Sequence, residues 1–138
     1  YCSDCTRTFA TGSESDLDSF AREIYEVTLA ANEAGLAAVR AGANGSDVDG
    51  IARAIITEAG YGENFGHGLG HGVGVEIHEA PRLGPSSTDE LVAGEVVTVE
   101  PGIYVSGKTG VRIEDMVLVG DNGIARNFCS VSKNLTFV

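Results

Sequence analysis

The sequence predicts one α+β domain of 138 residues, helices first and mostly antiparallel strands after them. Three observations carry that expectation. Apolar residues recur at three- and four-residue spacing between Leu17 and Ala59, the period of helices with one buried face. Runs rich in Val and Ile that alternate with polar residues fill the second half. Between the two lies "FGHGLGHGVGVEIHEAP" (65–81), in which glycine takes every second place from Gly66 to Gly74.

Taken in order, "SDCTRTFAT" (Ser3–Thr11) reads as a strand from its Thr and Phe content and its alternation. A long helix follows up to Gly42, which is the predicted stop. Its predicted start is Ser15 with Asp18 three residues later, a capping-box pattern. Leu17, Phe20, Ile24, Val27, Ala31, Ala34 and Ala38 form its apolar stripe. A second helix repeats the design. Ser46 is the predicted cap with Asp49 three later, Ile51, Ile55 and Ala59 share the predicted inner face, and Gly60 ends it. Gly66–Gly74 reads as extended, and a loop runs over 80–94. Glu95–Glu100 and Gly110–Val119 are the clearest strands. The short tail receives no assignment. There is no internal repeat, low-complexity tract or linker.

Nine Lys and Arg against twenty Asp and Glu give a net charge of −11. A phosphate-binding face must be basic, so nucleic acid and anionic membranes are excluded as partners. No apolar run is long enough to span a bilayer, and no leader pattern opens the chain, so a cytoplasmic location is expected. The chain begins at Tyr1 rather than Met, so a fragment of a longer protein is expected. Cys2 and Cys5 form a CxxC, but neither a second CxxC nor a close HxxxH completes a zinc site. With Cys129 they read as reduced thiols.

All three histidines, His67, His71 and His78, fall in the glycine-rich segment. In an extended chain its glycines share one face, and Phe65, His67, Leu69, His71 and Val73 share the other. A face without side chains allows another backbone to approach closely. His78 has the opposite parity, so a bulge or bend must precede it. Neutral imidazole is a common metal ligand and general acid/base. The segment lacks G-x-G-x-x-G. Gly102–Thr109 does fit the phosphate-loop pattern, but the alternating run after it predicts a strand where that loop needs a helix. Ser106–Gly110 is therefore read as a hairpin turn.

The strand acids complete the picture. Glu100 ends "VVTVEP", and either face of "VRIEDMVLV" places an acid, Glu114 or Asp115, among apolar residues. Asp4 is a third candidate. A buried carboxylate needs a partner or a metal. Taken singly, Glu114 could pair with Arg112. Taken together, strand carboxylates and histidines suit manganese, cobalt or zinc, and two such ions about 3.5–4 Å apart activate a water and clamp an oxyanion.

"SDCTRTF", "HGLGHGVGVEIHEAP", "VVTVEPGIYV" and "GVRIEDMVLV" resemble, in that order, the motifs of the pita-bread metallopeptidases. The family includes Xaa-Pro dipeptidase (prolidase), aminopeptidase P and methionine aminopeptidase; "SD-x-TRTF" and "RIED" are similar to the proline-specific branch. The resemblance covers essentially the whole chain. It implies a single catalytic domain over 1–138, truncated at its N-terminus, with helices on a curved, mostly antiparallel sheet. It implies metal-dependent hydrolysis of Xaa-Pro bonds, a peptide substrate with Pro at the second position, and a homodimeric parent. The implied metal ligands are Asp4, His71, Glu100 and Glu114. Glu100 is also the implied acid/base for the attacking water, and His78 the donor to the substrate carbonyl. His67 is an implied pocket residue; Tyr104 and Arg112 buttress the site, Arg112 by orienting a ligand carboxylate. The family uses one further aspartate upstream of Asp4, so the resemblance implies an incomplete two-metal site and weak or absent activity for this chain alone. The alternatives are a methionine aminopeptidase-like hydrolase and a non-catalytic binding module, which typically loses the metal ligands.

Overall fold

The computed structural model describes residues 1–138, and the α+β expectation holds. In chain order, β1 (Phe9–Ala10) precedes α1 (Ser19–Ala38) and α2 (Gly45–Glu58). Then come β2 (Gly70–Gly72), β3 (Glu79–Leu83), β4 (Val96–Val99), β5 (Gly102–Val105), β6 (Thr109–Arg112), β7 (Asp115–Gly120), β8 (Gly123–Asn127) and β9 (Thr136–Phe137). The main sheet is antiparallel with strand order β3-β2-β4-β7-β8. β5 and β6 make a separate hairpin, and β1 pairs with β9 in parallel. No helix is long and apolar enough to cross a membrane.

The helices start later or earlier than the sequence predicts. Leu17 is extended, so Asp18 itself caps α1 by accepting from the Phe20 N–H, while Ser13 and Asp16 close a separate 3-10 turn upstream. Ser15 caps nothing. The helix ends at Ala38, because Val39 turns extended, and Gly42 serves instead in the following turn with φ +79°. In α2 the cap is Asn44, whose Oδ1 accepts from the Ser46 N–H at 2.9 Å.

The inner face of α2 is also different. Val48, Asp49, Ala52 and Ile56 are buried, whereas Ile51 is 46% exposed and Ala59 is exposed. The apolar spacing misleads at Ile51 and Ala59 because the true face carries a buried acid, whereas half-buried Ile55 does pack against the core. On α1 the predicted stripe holds at Ile24, Ala31 and Ala38, but buried Thr28, Asn32 and Gly35 widen it. Gly35 lets α1 approach closely: a Cβ there would stand 3.0 Å from Val99 of β4 and 3.2 Å from Leu69. Those side chains join Ile24, Leu36, Ile56, Val97 and Ile113 in one core. Burying each such side chain contributes about 1.5–3 kcal/mol.

Two expected strands are interrupted, and both breaks lie at the site. Ser3–Thr11 reduces to β1 plus a lone bridge between Thr6 and Glu114. Gly110–Val119 splits at Ile113 and Glu114 into β6, which turns back on β5, and β7, which joins the main sheet. The hairpin turn expected at Ser106–Gly110 is present, with Gly107 at φ +73°. No helix follows it, so the phosphate-loop pattern is coincidental.

Candidate functional site

The glycine-histidine segment is a strand only over β2, not over Gly66–Gly74. Its glycines are nevertheless used for close approach. A Cβ on Gly70 would overlap the Thr98 carbonyl of β4, and one on Gly72 the Ala80 carbonyl of β3. β2 therefore sits between two strands that touch its backbone, and His71 projects from its centre. The ladder slips between His71 and Gly72, and residues 73–78 bend. This is the irregularity that the parity of His78 requires. It brings the His78 ring centroid within 4.4 Å of that of His71.

The preceding loop takes its shape from α2. Asp49 and Arg53 pair at 2.7 Å, one helical turn apart. Asp49 accepts from the Leu69 N–H at 2.9 Å. Arg53 donates to the carbonyls of Phe65 at 2.9 Å and His67 at 2.7 Å. These bonds satisfy loop peptides that no strand partner reaches, which is why extended geometry ends at Leu69. His67 donates from Nδ1 to the Gly68 carbonyl at 2.8 Å, leaving Nε2 as acceptor for the Tyr104 hydroxyl at 2.9 Å.

The Nδ1 of His71 lies 3.0 Å from the Gly72 carbonyl, which fixes the proton there and turns Nε2 toward the acids. That Nε2 lies 3.1 Å from Glu100 and 3.8 Å from Asp4. Ligand atoms of Asp4, His71 and Glu114 all lie within 4.8 Å of one another. Glu114 is only 1% exposed and accepts from the Thr6 hydroxyl at 2.5 Å. Arg112 makes no direct ion pair with Glu114: its Nε donates to Thr6 Oγ1 at 3.1 Å, so its hold on the carboxylate passes through that hydroxyl.

The electrostatics follow from crowding carboxylates in partial burial. Burial pushes the Glu114 pKa up to about 7, and the charges of Glu100 and Asp4 add to the rise. For His71, burial opposes the charge, but the bonds to Glu100 and to the Gly72 carbonyl outweigh it and raise the pKa. For Glu100, burial acts upward, yet hydrogen bonds from His71 and Thr98 bring the pKa below its ordinary value. Like charges gathered around one imidazole lone pair are the donor set of a divalent cation, so the residues fit a metal.

The residues to which the family resemblance gives roles lie together here, whereas Asp115, the other strand acid, pairs with Arg7 away from the cluster. Asp4, His71 and Glu114 form the cluster, with Glu100 3.1 Å from His71. His67, His78, Glu100 and Arg112 line one open cavity of about 640 Å³, with Tyr104 behind His67. Three contributors escaped the sequence reading. Thr6 lies inside a quoted motif but carries no spacing signal. The Asp49–Arg53 pair was visible as an i,i+4 ion pair, though not its target. Arg82, also on the cavity wall, stands directly across the β2–β3 ladder from His71. The thiols of Cys2, Cys5 and Cys129 are free, and none joins the cluster.

This chain resembles known proteins in both sequence and fold. The sequence pattern of Metallopeptidase family M24 matches residues 1–121. A Xaa-Pro dipeptidase of Pyrococcus furiosus is 48% identical over 126 residues, 91% of this chain and 35% of the relative. An uncharacterized peptidase of Staphylococcus saprophyticus is 55% identical over 123 residues, 89% of this chain and 34% of the relative. The chain thus spans about a third of the length of the curated relatives it matches. A solved Xaa-Pro dipeptidase from Bacillus anthracis superposes with a TM-score of 0.95 at 46% identity, over 100% of this chain and 38% of the other. An X-Pro aminopeptidase from Thermotoga maritima gives 0.93 at 38% identity, over 100% of this chain and 38% of the other.

Proposed function

This chain belongs to Metallopeptidase family M24 and has the pita-bread fold, and from that premise we propose that it is the metal-binding part of a catalytic domain that hydrolyses Xaa-Pro peptide bonds. The observation that carries the reading is the convergence of Asp4, His71 and Glu114, with Glu100 3.1 Å from His71, beside one open cavity. Xaa-Pro dipeptidases and an X-Pro aminopeptidase among the similar proteins support the substrate class.

In this proposal Asp4, His71, Glu100 and Glu114 hold divalent metal of the manganese, cobalt or zinc type. When bound, such ions supply Lewis acidity that lowers the pKa of water and polarises the scissile carbonyl. Glu100, at the cavity wall, takes the proton of the attacking water and returns it to the proline nitrogen as the C–N bond breaks. His78, exposed beside His71, donates to the carbonyl oxygen as it gains charge. The His67–Tyr104 pair and Arg112 line the space the substrate would occupy, and Arg112 steadies Glu114 through Thr6. One further carboxylate ligand from outside these residues is expected to complete a two-metal site. The retained acids weigh against a non-catalytic binding module.

The test is metal stoichiometry of this chain after manganese loading and desalting, paired with hydrolysis of Xaa-Pro and methionyl dipeptides by the full-length protein. One ion per chain, with Xaa-Pro cleavage in the full-length protein, is expected. A full-length protein that binds no divalent metal overturns the reading, and preferential methionyl cleavage replaces the substrate class.

A further inference from the structure

Beneath the acid cluster lies a second polar network, and it reaches past the residues that the family pattern matches. Asn32 on α1 is fully buried in the apolar core. Its amide donates to the carbonyl of Val99 at 3.0 Å and to that of Ile113 at 3.3 Å. Val99 immediately precedes Glu100, and Ile113 immediately precedes Glu114. One side chain thus spans the two backbone points from which those carboxylates depart. A primary amide has two N–H donors, and both are committed here.

The orientation of that amide is fixed from the other side. Lys133 Nζ lies 2.9 Å from Asn32 Oδ1 and 3.0 Å from Asp115 Oδ2. Asp115 is fully buried and pairs also with Arg7 at 2.7 Å. Arg7 spends its remaining donors on the Glu114 carbonyl at 2.6 Å, the Thr6 carbonyl and the Val131 carbonyl. The Tyr25 hydroxyl bonds the Lys133 carbonyl at 3.1 Å, so segment 131–133 is held at several points. Buried charge of this kind contributes little net stability when compared with well-packed apolar residues. Its place beneath the acids therefore suits a role other than stability.

We propose that Lys133, acting through Asn32 and Asp115, is a positioning residue of the metal site, and that the C-terminal segment carrying it sets the spacing of Glu100 and Glu114. Lys133 lies outside residues 1–121, the part that matches the family pattern. The inference rests on the reading that those carboxylates bind metal. Groups that orient ligand carboxylates typically change metal affinity by about 10–100-fold when removed.

The test titrates manganese into the full-length protein by calorimetry and records the visible absorption of the cobalt form, which reports ligand geometry. Four proteins are compared: the unaltered protein, Lys133→Met, Asn32→Asp and Glu114→Ala. Asn32→Asp keeps the volume and the Lys133 contact but loses the donors to Val99 and Ile113. Both Lys133→Met and Asn32→Asp are expected to fold by circular dichroism and to bind manganese about 10–100-fold more weakly, with a shifted cobalt band. Glu114→Ala is expected to lose metal outright. Unchanged affinity and an unchanged band in either folded variant overturn the inference and leave the metal reading intact. Failure of both variants to fold overturns it too, in favour of a purely fold-holding role. An unaltered protein that binds no manganese, or a Glu114→Ala protein that binds it normally, overturns the metal reading itself.

Discussion

His71 Nε2 sits 3.1 Å from Glu100 Oε1 while His71 Nδ1 is committed to the Gly72 carbonyl. Without metal, Nδ1 donates to that carbonyl, and Nε2, when protonated, pairs with Glu100. With metal, the same nitrogen and oxygen are both available to coordinate, since His71 keeps its Nδ1 bond to the Gly72 carbonyl and Glu100 its bond from Thr98 at 3.1 Å.

The site's titration sets a pH signature. His71 is raised from 6.5, so its charged form contributes stability below that value and loses it as pH climbs through the folded value. Glu114 is raised from 4.5 to about 7, so the folded chain holds that proton where the unfolded chain has released it. Stability again falls as pH rises across that interval. Glu100 is lowered, and its contribution is complete above 4.5. Metal-free chain is therefore expected to lose thermal stability from about pH 4.5 to 7 through Glu114, and further above 6.5 as His71 titrates, while manganese, which binds the deprotonated ligands, restores it. Thermal unfolding with chelator and with manganese checks this: the gap in Tm should widen with pH. A gap that narrows would contradict the ligand assignment.

Substitutions at the cluster should separate ligand from donor. His71→Ala or Glu114→Ala in the full-length protein is expected to remove metal and cut activity by several orders of magnitude. His78→Ala touches the ring of His71 but not the acids, so metal content should stay nearly intact while kcat falls about 10²-fold, as for loss of an oxyanion donor. Elemental analysis beside steady-state kinetics decides it. Equal metal loss in all three variants would refute the role given to His78.

The Asp49–Arg53 clamp offers a stability prediction. Asp49→Ala leaves the Leu69 N–H without its acceptor and the Arg53 guanidinium without its counter-charge, in a position where Asp49 is 1% exposed. Removing one partner of a buried pair costs about 3–5 kcal/mol, and Arg53's partial exposure places this case at the lower end, about 3 kcal/mol. Urea denaturation measures it. A loss below about 1 kcal/mol, the range of surface pairs, would mean that the clamp does not hold the loop.

Much of this molecule was legible before the structure. Ile24, Ala31 and Ala38 announced the buried stripe of α1, and the Val- and Thr-rich run before Glu100 announced β4. The glycine-histidine segment and the strand acids point to one site, where Asp4, His71, Glu100 and Glu114 do meet, whereas Asp115 faces Arg7 and Lys133 instead. What could not be read was polar burial. Asn32 and Asp49 occupy core positions where periodicity counts only apolar residues, so the predicted face of α2 is rotated; a buried Asp115 is among the sequence expectations, but its partners Arg7 and Lys133 are not. The strand break at Ile113–Glu114 was hidden for a related reason. The adjacent acids Glu114 and Asp115 interrupt the alternation there, but one continuous strand still accommodates them, and only the pairing of β6 with β5 and β7 with β4 reveals the turn.

The alternating glycines can be tested one against another. Gly66 and Gly70 have the same parity and the same motif, so sequence treats them alike. Their surroundings differ. A methyl on Gly70 would collide with the Thr98 carbonyl, a backbone atom that cannot swing aside, whereas nothing lies within 4 Å of one placed on Gly66. Gly70→Ala must therefore push β2 away from β4, carrying His71 away from Glu100. Overpacking of this kind costs about 1–3 kcal/mol, and a weakened metal site should accompany the loss. Gly66→Ala falls among open-surface substitutions, within about 0.5 kcal/mol of no effect. Denaturant midpoints and manganese affinity for the two variants check both halves. Equal effects would mean that the glycines serve flexibility along the whole segment, whereas loss confined to Gly70→Ala would tie them to close approach between β2 and its neighbours.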